Sequence, residues 1–303
     1  MLLPLQDLDK QALLKILEAE FEAVGSALTF CPLGEDSWSY RFGDLWVSVR
    51  RDLRGHCPAA YEAATLLRES GYDFVLAPLR GSDGEVCHSV GGRPVVVYPY
   101  VPAEPLSAVG TDVDIRDAIR LMDRIHRAAP QLSLPEETFR LSFHGDLLQA
   151  LSQAESDAAD GGPFGSRVCR LLRLHRRRIE DALAQWQETA AACTAAEDSF
   201  VLTHGEPSAP NILLYEGQLL FADWGAAMRG PAERDWFHFR RTLGSAPDGR
   251  PLFFRFYELR WFLSEVTEYA VRFLGEHQGD DEDVAMWGKL RHYLPQRDRI
   301  PIR

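Results

Sequence analysis

The stretch Val201-Leu-Thr-His204-Gly205-Glu206-Pro-Ser-Ala-Pro-Asn211-Ile-Leu-Leu-Tyr-Glu-Gly-Gln-Leu-Leu-Phe-Ala-Asp223-Trp224-Gly225 decides the reading of this chain of 303 residues. A loop acid, Glu206, is followed five residues later by Asn211. Two short apolar runs, Asn211 to Leu214 and Leu219 to Ala222, flank Glu216-Gly217 and read as a hairpin, because a glycine between such runs permits a tight reversal. Asp223 stands where the second run ends. The spacing thus supplies a carboxylate, an amide oxygen and a second carboxylate on neighbouring loops. A second His-Gly-acid tripeptide, His144-Gly145-Asp146, shows what accident looks like: Leu151 stands five residues after its acid and offers no oxygen.

Upstream of this stretch the apolar period is first helical and then two. Leu13, Ile16, Leu17 and Phe21 form one stripe of a helix over Leu8 to Ala23. Leu28 to Cys31, Trp38 to Phe42 and Leu45 to Val49 read as strands, separated by Gly34-Glu35-Asp36 and Gly43-Asp44. Pro58 opens a helix running to Ser70. Phe74 to Leu79 and Pro94 to Tyr100 supply two more strands around Ser82-Asp83-Gly84. Pro99-Tyr100-Val101-Pro102 is an extended connector, since each proline disfavours helix in the residue before it. From Asp112 onward the chain reads as mainly helical apart from the hairpin, with Ala154 to Gly165 an exposed loop. The expected class is α+β, with a small antiparallel-sheet lobe over residues 1–100 and a larger, mainly helical lobe over 101–303. A ligand belongs in the cleft between two such lobes.

Bulk properties narrow the chemistry. A chain that is 46% hydrophobic can bury a substantial core, so disorder is excluded. The net charge of −12 argues against nucleic acid as a partner, because phosphate backbones are bound by concentrated Lys and Arg. An acidic surface favours cationic small molecules instead. The five cysteines have no paired metal-ligand spacing, which suits reduced thiols and a cytoplasmic location. The amino-terminal residues lack the basic start and apolar core of a secretory signal, and no run is long enough to span a membrane.

The decisive stretch resembles the catalytic and metal-binding loops of the aminoglycoside phosphotransferase family, which carry His-Gly-Asp, four residues, Asn, and later Asp-Trp or Asp-Phe-Gly. Pro231-Ala-Glu-Arg234-Asp235-Trp236 is similar to a Pro-Pro-Glu-Arg-Asp-Leu stretch of the spectinomycin-phosphotransferase-like members. So are Gly71 to Leu79, Asp83-Gly84, Tyr98 to Val101 and Phe256 to Trp261. The resemblance implies a protein-kinase-like bilobal fold and an enzyme that uses ATP or GTP with Mg2+ to phosphorylate a hydroxyl group. Such chemistry needs a carboxylate to orient the attacking hydroxyl and oxygen ligands to hold magnesium against the triphosphate. Glu206 would be the catalytic carboxylate, one methylene longer than the family's usual Asp. Asn211 and Asp223 would hold the metal, and His204 would anchor the loop. Asp235 would brace that loop through backbone hydrogen bonds, although locally it reads equally well as a helix-start carboxylate.

One departure stands out. Ser48 occupies the third-strand place where the superfamily has a phosphate-binding lysine, and only three lysines, Lys10, Lys15 and Lys289, occur in the chain. Arg50 shares the face of Ser48, because side chains alternate along a strand. Glu62 resembles the helix acid that would pair with the lysine, and the turn Gly34 to Ser37 resembles the phosphate-covering turn. Ser37, Ser48, Arg50, Glu62, Tyr98, Tyr100 and Val101 are therefore the implied nucleotide contacts. Trp261, Glu265 and Glu268, at i, i+4 and i+7 of one helix, are candidates to grip a hydroxylated, cationic substrate. Two alternatives stay open: a nucleotide-binding pseudokinase without transfer, and a kinase of a choline-like or homoserine-like metabolite. The quaternary expectation is a monomer or a homodimer.

Overall fold

The computed structural model describes residues 3–24, 27–34, 37–53, 55–109, 114–129, 133–156, 161–196 and 200–295. Helix α1 (Lys10–Phe21) starts where the Asp9 side chain accepts from the Ala12 N–H at 2.9 Å. Strands β1 (Thr29–Cys31), β2 (Ser37–Phe42) and β3 (Leu45–Arg50) follow, and then helix α2 (Pro58–Glu69). Strands β4 (His88–Val90) and β5 (Arg93–Pro99) complete an antiparallel five-stranded sheet of order β1-β2-β3-β5-β4. One face of this sheet is apolar. Tyr40, Phe42, Val47, Val49, Val95 and Val97 bury themselves there against Leu13 and Leu17 of α1, which is why the period-two pattern and the helical stripe belong to one core.

The expected strand over Phe74 to Leu79 is not one. Its backbone bonds go to different partners: Phe74 O accepts from Phe221 N at 2.8 Å, Leu76 N donates to Phe221 O at 2.9 Å, and Leu79 N donates to Val97 O at 2.7 Å. Pro78 has no N–H with which to extend a ladder. The edge position is taken by β4, paired to β5 through a turn at Gly91-Gly92 whose φ values of 57° and 77° only glycine adopts freely. Of the expected turn over residues 34–37, Glu35 and Asp36 lie outside the described residues.

After the two-residue strand β6 (Glu104–Pro105) come helices α3 (Ile115–His126), α4 (His144–Ser156) and α5 (Gly165–Ala195). The expected loop over 154–165 is thus shortened at one end by the last turn of α4, while residues 157–160 lie outside the described ones. Strand β7 (Val201–Thr203) precedes the hairpin of β8 (Ile212–Tyr215) and β9 (Gln218–Phe221), and β10 (Met228–Gly230) pairs back with β7. Helices α6 (Glu233–Leu243), α7 (Pro251–Leu274) and α8 (Asp281–Tyr293) end the described chain.

By internal contacts the chain forms two compact units. One comprises Met1–Glu137 with Asp198–Gly249, the other Thr138–Glu197 with Arg250–Arg303. The Pro99 to Pro102 connector falls inside the first. The second is a helical assembly of α4, α5, α7 and α8, with Phe139 edge-on to Phe256 at 5.2 Å in its core. No helix of the described residues is long and apolar enough to cross a membrane.

Candidate active site

The loop that follows β7 is held from beneath. Asp235, in the first turn of α6 and fully buried, accepts from the N–H of His204 at 2.9 Å and of Gly205 at 2.8 Å. His126 at the end of α3 approaches the same carboxylate through Nε2 at 2.9 Å. Burial pushes this carboxyl up, but the His126 hydrogen bond and the neighbouring His126 and Arg234 charges win and bring it down to about 2. Arg234 donates to Thr203 Oγ1 at 2.9 Å and to Ala226 O at 3.0 Å, closing the other side. Between these supports a Cβ on residue 205 would lie 2.8 Å from both Ala226 O and the Arg234 guanidinium, at a φ of 108°. Glycine between the histidine and the acid is therefore a steric requirement.

Within the loop, the Asn211 side-chain nitrogen donates to Glu206 O at 2.9 Å, and Asn211 O accepts from Ala222 N at 2.9 Å. The three oxygen-bearing residues are thus laced together through backbone: Glu206 to Asn211, and Asn211 to the residue before Asp223. The Ser208 hydroxyl donates to the Glu206 carboxylate at 3.4 Å. His204 donates from Nε2 to Ala222 O at 2.9 Å, so its Nδ1 is the acceptor for the Glu206 N–H at 3.3 Å. Burial pushes its pKa below the usual histidine value. A neutral ring with both nitrogens occupied ties β9 to the loop.

Asp223 adopts a left-handed backbone, φ 62° and ψ 62°, which is uncommon outside Gly, Asn and Asp. The conformation ends β9 and begins a single turn over Trp224–Ala226, fixed by Trp224 Nε1 donating to Phe221 O at 2.8 Å. Burial raises the phenols of Tyr61 and Tyr98, and the Asp223 charge raises both further. The donor set suits magnesium. With its nitrogen committed to Glu206 O, Asn211 offers Oδ1, and Asp223 offers a carboxylate. Magnesium is commonly held by one or two such oxygens, with water and substrate phosphate completing its shell. Among the described residues there is no cluster of three or more His, Cys, Asp or Glu, as a zinc site would need.

The second face of the five-stranded sheet carries buried polar side chains beside Val96 and Tyr98. Ser37 pairs across from Arg50 and Ser39 from Ser48, and all four side chains are buried. The Arg50 guanidinium donates to His56 Nε2 at 2.9 Å, and His56 Nδ1 lies 2.8 Å from the buried Tyr61 hydroxyl. Glu62 is engaged elsewhere, in a two-point pair with Arg80 at 2.6 and 3.0 Å. Tyr98 packs with Tyr61 and Val96, whereas Tyr100 turns to Trp46 and Arg41, whose guanidinium lies 4.0 Å from its ring. Val101, two residues after β5, is half-buried. Ser39, His56, Tyr61 and His126 are not among the residues the sequence points to, and Ser208 and Arg234 stand in the quoted stretches without a role assigned to them. Of the first four, Ser39 alone left a usable signal, as a polar residue in period-two step with Ser37.

Comparison with known proteins adds the following. The profile of the phosphotransferase enzyme family, APH, matches residues 35–272. The chain belongs to this family. A relative, Protein StrN of Streptomyces griseus, is 44% identical over 314 residues, covering 98% of this chain and 97% of its own. The solved spectinomycin phosphotransferase APH(9)-Ia, in complex with ADP and spectinomycin, superposes with a TM-score of 0.74 at 15% identity, over 93% of each chain. A microcompartment-associated aminopropanol kinase superposes with a TM-score of 0.58 at 15% identity, over 94% of this chain and 95% of its own. The fold of this APH phosphotransferase is thus the α+β, protein-kinase-like one expected from sequence, and the protein is an enzyme that phosphorylates a hydroxyl group.

In this phosphotransferase Trp261, Glu265 and Glu268 lie on α7, in the helical unit. Trp261 Nε1 donates to the Tyr293 hydroxyl at 3.0 Å, Glu265 accepts from the Tyr269 hydroxyl at 3.2 Å, and Glu268 is exposed.

Proposed function

We propose that the protein transfers the γ-phosphoryl group of ATP or GTP, with magnesium, to a hydroxyl of a small hydroxylated, cationic molecule of the aminoglycoside type. The observation that carries this is the lacing of Glu206, Asn211 and Asp223 through two 2.9 Å hydrogen bonds on a loop clamped by Asp235. In this reading the acceptor hydroxyl donates to the Glu206 carboxylate. As its oxygen bonds to the γ-phosphorus, the bond from that phosphorus to the bridging oxygen breaks, the proton passes to Glu206, and the diphosphate leaves. Asn211 Oδ1 and the Asp223 carboxylate hold magnesium, which when bound neutralises charge building on the phosphate oxygens. Arg50 stands in for the missing lysine, with Ser37, Ser48, Tyr98, Tyr100 and Val101 around the nucleotide.

The names of structural neighbours support an amino alcohol as acceptor. Besides the spectinomycin and aminopropanol enzymes, a choline/ethanolamine kinase family protein from Mesorhizobium loti superposes with a TM-score of 0.52 at 15% identity, over 94% of this chain and 92% of its own. The net charge of −12 suits a cationic acceptor in the cytoplasm.

The test is mass spectrometry of a panel of aminoglycosides, aminocyclitols and amino alcohols incubated with protein, magnesium and triphosphate. A phosphorylated product that needs the wild-type protein supports the reading. Glu206→Gln is expected to lower turnover by about two to four orders of magnitude while nucleotide still binds. Nucleotide binding with no transfer to any hydroxyl compound would favour the silent alternative.

A further inference from the structure

We infer that His56 is a positioning residue that holds the Arg50 guanidinium toward the phosphates of a nucleotide bound beside Asp223. The inference rests on the phosphotransfer reading above and goes beyond it, because it explains how an active site without the third-strand lysine keeps a directed cation.

In the usual arrangement an acid on the helix after β3 would hold the cation in place. Here Ser48 carries no charge, and the helix acid Glu62 is bound to Arg80. The segment leading into α2 supplies a restraint on Arg50 through His56. Guanidinium only donates, so His56 Nε2 must accept at 2.9 Å and carry no proton. The proton of the neutral ring then lies on Nδ1 and points to the Tyr61 hydroxyl at 2.8 Å, on a side chain buried in the sheet-facing side of α2. The chain Arg50, His56, Tyr61 therefore has one consistent direction of donation.

The same ring is seated against the turn that follows Asp223. A Cβ on residue 225 would lie 1.6 Å from His56 Nδ1, and the next residue, Cys57, donates its N–H to Gly225 O at 3.0 Å. His56 thus touches both the side chain it orients and the turn carrying the carboxylate proposed to hold the metal. The imidazole links the guanidinium to the turn that follows Asp223. Arginine needs such a partner more than lysine does, because its planar fork recognises phosphate only when its orientation is fixed.

The experiment compares the affinities of ATP, ADP and adenosine, with magnesium, by calorimetry on the full chain. His56→Leu is expected to weaken ATP about tenfold and ADP by less, leaving adenosine within about twofold, as loss of one charge-assisted phosphate contact predicts. His56→Gln, whose amide oxygen can accept from Arg50, is expected to recover most of the loss. In an Arg50→Gln background, His56→Leu is expected to change ATP affinity no further. Parallel weakening of ATP and adenosine, unchanged ATP affinity, or additivity with Arg50→Gln would overturn the proposal. If His56→Leu does not fold, His56→Asn, too short to reach Arg50, replaces it in the same comparison. Failure of the wild-type protein to bind ATP overturns the phosphotransfer reading itself. Binding by the wild type with no selective loss in the variants overturns only the part given to His56.

Discussion

Asp235 shows how much of an active site lies beneath it. Its carboxylate carries the backbone of His204 and Gly205 and meets His126, with no exposure to solvent. Removing the charge while keeping the shape leaves an amide facing donors that it cannot all accept, one acceptor oxygen having become an NH2 group. Asp235→Asn is expected to cost about 3 kcal/mol of stability, as breaking a buried charged network does. Because the loop loses its brace, turnover should also fall by about tenfold or more. Urea denaturation together with steady-state kinetics checks both; full activity at reduced stability would confine the residue to folding. The spacing of Glu206, Asn211 and Asp223 was legible in the sequence because all three lie on consecutive turns of one short segment. His126 and His56 were not. His126 meets a carboxylate 109 residues away, and His56 meets Tyr61 and Arg50 five and six residues away, in a connecting segment where no helix or strand period links them.

At the scale of elements, what decides the site is the docking of α2 on the turn after β9. That contact leaves no room for a side chain on residue 225. Gly225→Ala must therefore push His56 away or open the Cys57 to Gly225 hydrogen bond of 3.0 Å. Nucleotide affinity is expected to fall by about tenfold or more, with stability reduced by about 1–3 kcal/mol as for an overpacked core. Thermal shifts with and without ATP and magnesium separate the two effects, and an unchanged ATP-induced shift would show that the docking does not matter for binding. Most elements of this unit were readable, because alternating residues in β2, β3 and β5 face the Leu13 and Leu17 stripe of α1. Residues 74–79 misled for a physical reason. Their apolar run is buried without being a strand, since its backbone is divided between the β8–β9 hairpin and β5. Periodicity reports burial, and burial by single bonds to two partners looks the same in sequence as burial in a ladder.

For the whole molecule, the buried histidines set the acid limit of stability. His238 on α6 is pushed down to about 3 by burial, and His204 is lowered by the same cause. When the folded-state pKa of a histidine is depressed, the unfolded chain takes up the proton first as pH falls below about 6.5. The stability that the neutral ring contributes is complete above that value and is lost on descending toward the folded-state pKa. Asp235 adds a second, lower window: its carboxyl is held near 2 against an ordinary 3.8, so its contribution of about 2 kcal/mol disappears only between roughly pH 4 and pH 2. Two stages of acid destabilisation are therefore expected, the first well above the titration of ordinary carboxylates. Urea midpoints should be nearly level from about pH 7.5 to about pH 6.5 and fall from there to about pH 4.5, and His238→Phe should flatten that slope while leaving the drop below pH 4. A wild-type midpoint that stays level from pH 7 to pH 5 would mean that these rings are already protonated, or reached by water, in the folded protein.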